Sequence, residues 1–170
     1  AGGAEAECRQ TAIRLAARGV TVEILTTCLL DMAHDWNTEY HQAGVTEEDG
    51  LTVRRFRPEP VIEPTFSQLN QRLLAGEVLS PIAQDWLYAS FVNSFELYRW
   101  LAAHADDYVR VCFIPYLFAT SVHGSRCCGA NSVLIPCLHD EGYARLPAVR
   151  ALFERVGRII FHTASEQALA

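Results

Sequence analysis

Two largely apolar runs, Tyr108-Val-Arg-Val-Cys-Phe-Ile114 and Ser132-Val-Leu-Ile-Pro-Cys-Leu138, constrain this chain more than any other feature. Each has the length of a strand, and neither alternates between apolar and polar residues. A strand with one wet face alternates with period two, whereas a continuous run is buried on both faces, as in a parallel sheet. Parallel neighbours need a crossover between them, usually a helix. The spacers supply it: Leu117 to His123 reads as a short helix, and Leu146, Val149, Leu152, Phe153 and Val156 recur at helical spacing. Arg158-Ile-Ile-Phe161 then reads as another strand, and Ser165 as the start of another helix.

The first half is consistent with the same architecture. Gly2 to Gly19 predicts a helix, with Ala4, Cys8, Ala12, Leu15 and Ala16 on one face and Gly19 as its C-terminal stop. Thr21 to Thr27 is rich in β-branched residues and predicts a strand, and Cys28 to about Gly50 predicts a polar loop. Leu51 to Phe56 alternates, as an edge or half-buried strand does. After Pro58, Pro60 and Pro64, helices are expected over 65–76 and 81–104, the second opened by the Ser80-Pro81 cap. Trp86 and Phe91 belong to its apolar band and are expected in the core. The fold class is therefore α/β, a Rossmann-like parallel sheet with helices on both faces, forming a single domain over residues 1–170.

Composition removes several functions. A net charge of -6 disfavours nucleic acid, whose phosphates select basic surfaces. All fourteen basic residues are Arg. The six cysteines are scattered, several within apolar runs, as reduced core thiols are, which suggests a reducing, cytoplasmic compartment. His123, Cys127, Cys128 and Cys137 match no zinc spacing, so no metal is expected. No Gly-x-Gly-x-x-Gly, phosphate-binding P-loop or nucleophile-elbow motif is present.

In an open parallel sheet, ligands bind beyond the carboxyl ends of the strands. Three features fall there. Gly2-Gly3 at the entrance of the first helix leaves backbone N–H groups accessible to a phosphate, or else forms a mere turn. His139 follows a strand; it either meets a substrate hydroxyl or closes the strand end on the backbone. The Cys28 to Gly44 loop, which follows the strand over 21–27, carries Asp31, His34, Asp35, Trp36 and Asn37, a combination that suits a sugar or forms a solvated loop with one packed Trp.

The ordered series Gly2-Gly3-Ala4-Glu5, Leu25-Thr26-Thr27-Cys28, Asp31, Trp36-Asn37, Gly50 to Phe56, Pro115 to Phe118, Leu134 to Glu141 and Phe161 to Glu166 resembles the N-terminal domain of bacterial family-4 retaining glycosyltransferases. The resemblance spans nearly the whole chain and implies one half of a GT-B fold, lacking its first strand and its C-terminal, nucleotide-binding domain. It implies a nucleotide-sugar donor and no cofactor or metal, with Gly2, Gly3 and Glu166 on the donor side and His139 as the catalytic histidine near the reacting carbon. Asp31, Trp36 and Asn37 would face a sugar, lipid or small-molecule acceptor. Membrane attachment at the inner face stays open. The alternatives are a non-catalytic α/β ligand-binding module and a GT-B sugar-nucleotide epimerase.

Overall fold

The computed structural model describes residues 2–170, which form an α/β unit. Helix α1 spans Gly3–Ala16, then β1 (Glu23–Thr27), β2 (Gly44–Glu48) and β3 (Leu51–Phe56) follow. Helices α2 (Thr65–Leu74), α3 (Pro81–Ala89) and α4 (Phe95–His104) come next. The second half runs β4 (Val111–Phe113), α5 (Ala119–Gly124), β5 (Ser132–Leu134), α6 (Pro147–Arg155), β6 (Arg158–Ile159) and α7 (Ala164–Leu169).

The strands form two small sheets where the sequence predicts one. The second is all parallel, in the order β4-β5-β6, with β5 buried throughout. The first has the order β1-β3-β2, with β1 parallel and β2 antiparallel to β3. Leu51–Phe56 is thus the middle strand of its sheet and not an edge, because an unforeseen strand, β2, covers its outer side. The signal for β2 lies in Asp49-Gly50, both with positive φ, the dipeptide that closes a two-residue hairpin whose twist matches its strands. β2 is exposed along its whole length, so its apolar pattern carries no trace of it.

The long helix expected over 81–104 is broken into α3 and α4. Ser94 causes the break: its Oγ accepts from Leu97 N–H at 3.3 Å as the N-cap of α4 and donates to the Arg57 carbonyl at 2.7 Å. Turning the chain there buries Phe91 while leaving Trp86 52% exposed, so only Phe91 of the two expected core residues is in the core. Otherwise the core follows the apolar pattern. Leu87, Leu101, Tyr116, Val122, Leu134 and Leu152 are buried in one cluster that joins the helices to β3, β4 and β5. No helix among the described residues is long and apolar enough to cross a membrane.

Ser90 and Ser94, both fully buried, provide an internal comparison. Ser94 Oγ is bonded, whereas Ser90 Oγ has no partner among the described residues. Ser94→Ala removes a cap and strands a carbonyl, and is expected to cost about 1–2 kcal/mol. Ser90→Ala removes only an unsatisfied hydroxyl and is expected to be neutral or slightly stabilising, as denaturant titration of both variants will show.

The hairpin carries a pH signature. Arg55 donates both Nη groups to Glu48, at 2.5 and 3.0 Å, and Thr46 Oγ1 adds a third bond at 2.8 Å. These bonds pull the Glu48 carboxyl from 4.5 down to about 2. A depressed carboxyl pKa contributes stability above the ordinary value and loses it as pH falls through the lowered one. The half-exposed pair is screened by solvent, so the expected effect is about 0.5 kcal/mol, absent from Glu48→Gln when Tm is measured from pH 5 down to about pH 2.

Candidate functional site

The carboxyl ends of the two sheets lie on one side of the molecule. Tyr108, just ahead of β4, donates its hydroxyl to Glu23, the first residue of β1, so β1 and β4, and the strands parallel to each, start at the same end. The loops after β1 and β5 therefore emerge together at the other end. The start of α1 lies there too, since Glu5, Glu7 and Cys8 all act electrostatically on the thiol of Cys137, beyond β5. The expected features Gly2-Gly3, Trp36 and His139 thus occupy one edge.

Gly2 is the N-cap of α1 in extended conformation and Gly3 is its first residue, neither with positive φ. A Cβ on Gly3 would meet nothing within 4 Å, so open space lies in front of the helix. A Cβ on Gly2 would come 2.5 Å from a carboxylate oxygen of Glu5. The first-turn glutamate therefore overhangs the end to which an anion is drawn, and itself favours the positive pole of the helix.

His139 is exposed, and no hydrogen bond to its ring is formed among the described residues. Its neighbours are fixed. Glu141 N–H donates to the His139 carbonyl at 3.0 Å, Tyr116 Oη donates to Glu141 Oε1 at 2.6 Å, and Asp140 pairs with Arg145. The result is an imidazole held out on a pinned backbone. β5 ends at Leu134, earlier than the apolar run does; Pro136 has no N–H to continue the ladder, and Cys137 turns the chain with φ of 52°. A non-glycine residue in that region is sterically costly and is held there by its surroundings.

Glu166 is what holds it. This glutamate is 8% exposed, and its two carboxylate oxygens accept from Leu138 N–H at 2.7 Å and His162 N–H at 2.6 Å. Its own N–H donates to Thr163 Oγ1, which caps α7. Both oxygens are thus committed to main-chain donors, and Glu166 clamps the loops after β5 and β6 instead of facing a donor as expected. It fixes the main chain immediately ahead of His139.

The acceptor-side candidates divide in the same way. Trp36 leans on Phe66 and Phe91, with ring centroids 5.0 and 5.5 Å away, and lines two open cavities. One, of about 210 Å³, also has His34, Asp35, Asn37, Val61, Glu63 and Phe66 on its walls; the other, of about 510 Å³, is walled by Glu39, Pro58, Glu59 and Pro60. Asn37 is chiefly an internal bridge, accepting from Val61 N–H at 2.7 Å and donating to the Val61 carbonyl at 3.4 Å. It therefore shapes the cavity wall, with little capacity left for a ligand. Asp31 Oδ1 pairs with His34 Nδ1 at 2.7 Å and accepts from Ala33 N–H at 2.8 Å, bonds that lower its pKa. It lines neither cavity.

Sequence reasoning missed Glu63, Pro58 and Pro60 as cavity walls; they lie far along the chain from Trp36, and the Asn37–Val61 bridge and the packing of Trp36 on Phe66 bring them together. His123 packs edge-on against Tyr88 and Tyr98, with its pKa lowered by burial, and the six cysteines are free thiols. No family model matches the chain, and no curated protein or solved structure matches it either.

Glu166→Gln separates a clamp from a ligand contact. A carboxamide presents an N–H₂ to one of two main-chain donors and leaves it unbonded. The expected cost is about 2 kcal/mol, or roughly 4–8 °C in Tm, as measured by calorimetry. A residue that only faced a cleft would leave Tm unchanged.

Proposed function

We propose that this chain is the acceptor-side half of a GT-B retaining glycosyltransferase, working with a second, nucleotide-binding domain on a nucleotide-sugar donor. The observation that carries the reading is the gathering of an open helix N-terminus, an unpartnered exposed histidine and an aromatic-walled cavity on one carboxyl edge of the strands. Any one of these is common; together they supply the three contacts that sugar transfer requires.

In this reading the unpaired N–H groups of the first turn of α1 face the donor diphosphate, and the overhanging Glu5 swings aside when it binds. His139 faces the donor sugar near its reacting carbon. The exposed part of Trp36 offers an aromatic surface to the acceptor, beside carboxylates that accept from its hydroxyls. The bond between the sugar and the diphosphate breaks, and a new one forms to the acceptor oxygen on the same face. The acceptor proton passes to the departing phosphate, so the chain need only orient the partners, stabilise developing charge and exclude water.

The test is nucleotide-sugar turnover by the full-length gene product. Because His139 is exposed and makes no side-chain hydrogen bond, His139→Ala is expected to leave Tm unchanged while lowering kcat by about 100-fold or more. Unchanged transfer in this variant would overturn the assignment, as would a full-length protein that binds no nucleotide sugar. Binding without turnover would identify a ligand-binding module in place of an enzyme.

A further inference from the structure

The two cavities that share Trp36 have one polarity. Asp35 and Glu63 line the smaller and Glu39 and Glu59 the larger, and no arginine lines either of them. The bonds that hold these carboxylates orient them without neutralising them. Asp35 accepts from Asn37 N–H at 3.0 Å and Thr38 Oγ1 at 2.7 Å, which lowers its pKa and keeps it ionised. Glu63 accepts from Ser67 Oγ at 3.0 Å, and Glu59 Oε1 accepts from Phe95 N–H at 3.3 Å. Among the described residues only Glu39 of the four is in an ion pair, 3.7 Å from Arg57, which also serves Glu96. A carboxylate accepts about four hydrogen bonds, so the walls retain both capacity and charge.

His34, on the wall of the smaller cavity, adds one more acceptor. Its Nδ1 lies 2.7 Å from Asp31 Oδ1, and its ring packs at 75° to that of Tyr40, with centroids 5.5 Å apart. Bonds from His34 and from Ala33 N–H hold the Asp31 pKa down, so this carboxylate only accepts. The shared proton therefore sits on Nδ1. Nε2 of the neutral ring presents a lone pair and makes no bond among the described residues. Asn37, the one amide on these walls, is spent on Val61. What is left is an aromatic face among negatively charged acceptors, with no cationic donor beside them.

We propose that the Trp36 cavities select an amine-bearing sugar, with its ring against Trp36 and its ammonium group among the wall carboxylates. An ammonium supplies three donors and the charge these walls lack. It makes charge-assisted bonds to carboxylates and is drawn to an aromatic face. A neutral sugar satisfies the acceptors with its hydroxyls but gains nothing from the charge. A uronic acid or a phosphorylated headgroup brings a like charge and is repelled. Trp36 and the His34 lone pair call for a ring with hydroxyls beside the amine, which a plain polyamine lacks. The larger cavity, of about 510 Å³, has the size of sites that enclose small ligands. This acceptor class rests on the sugar-transfer reading above, since it specifies what fills the acceptor place. In that reading the negative walls also keep the donor diphosphate out of the acceptor's place and leave it to the N-terminus of α1.

The test follows the Trp36 indole N–H by nuclear magnetic resonance, assigned with Trp36→Phe. The chain is titrated at about pH 7.5 with methyl glucosides that carry an amine, a hydroxyl or a carboxylate at the exocyclic carbon and are otherwise identical. The amine form is expected to bind about tenfold more tightly than the hydroxyl form, and the carboxylate form about tenfold more weakly. The preference should shrink below about twofold in the Glu59→Gln/Glu63→Gln variant, and also at about 0.5 M salt, where charge is screened. Both glutamines keep an oxygen for the Phe95 and Ser67 donors, and unchanged affinity for the hydroxyl form confirms that the cavity is intact. His34→Ala should weaken the amine and hydroxyl forms alike, since it removes an uncharged acceptor. Equal binding of the three sugars, or tightest binding of the carboxylate form, overturns the amine selection and leaves sugar transfer standing. Butylamine binding as tightly as the amine form overturns the sugar part and assigns a plain cation site. No shift with any of the three overturns the cavities as a sugar site, while nucleotide-sugar turnover by the full-length gene product tests the transfer reading separately.

Discussion

Phe91 is the side chain on which the arrangement of this molecule depends. It is 1% exposed and lies in the short link between α3 and α4. Its ring meets Phe66 at 4.8 Å, Phe118 at 5.2 Å, Trp36 at 5.5 Å and Tyr143 at 6.0 Å. Those partners come from α2, from the entry to α5, from the loop after β1 and from the turn that follows His139. Each tilted or stacked pair adds to the area it buries. One ring thus ties the helical layer to both loops that carry the candidate site.

Around that hub, polar groups do the positioning and apolar groups the holding. Asn37 binds both main-chain groups of Val61 and gives Trp36 its cavity. Glu166 binds two main-chain N–H groups and sets the course of the chain leading to His139. Tyr116 holds Glu141 from the other side. A charged group buried with its bonds satisfied is retained for geometry more than for stability, because desolvation offsets much of its attraction. Here the geometry is that of an exposed histidine on a rigid backbone.

Much of the fold was legible in the residues. The residues of β5 and the helical spacing of Val149 and Leu152 report burial directly, and the structure buries them, whereas the run over 108–114 is buried only at Val111 and Phe113, with Val109 and Cys112 exposed. Ser80-Pro81 opens α3 as its chemistry requires, with the Ser80 side chain accepting from Ala83 N–H. The break at Ser94 was not legible, since Ser90, Asn93 and Ser94 lie in a segment whose apolar period continues through them. What ends α3 is a bond to the Arg57 carbonyl, 37 positions away in sequence. For the site, sequence located the edge and the three features on it, but not which side chains remain available. Gly3 and His139 look outward; Asn37 and Glu166 are spent on the main chain.

The sequence by itself determined the alternation of strand and helix, the burial of β5 and the edge to which its own reading assigned a site. These follow from local periodicity and chain direction, which residue order carries directly. Only the tertiary structure decided that the sheets stand apart, that α1 and β1 are left half-covered, and that Glu166 is a clamp. Those outcomes depend on contacts between distant segments, where the number of neighbours around a group, and not its chemical type, sets what it does.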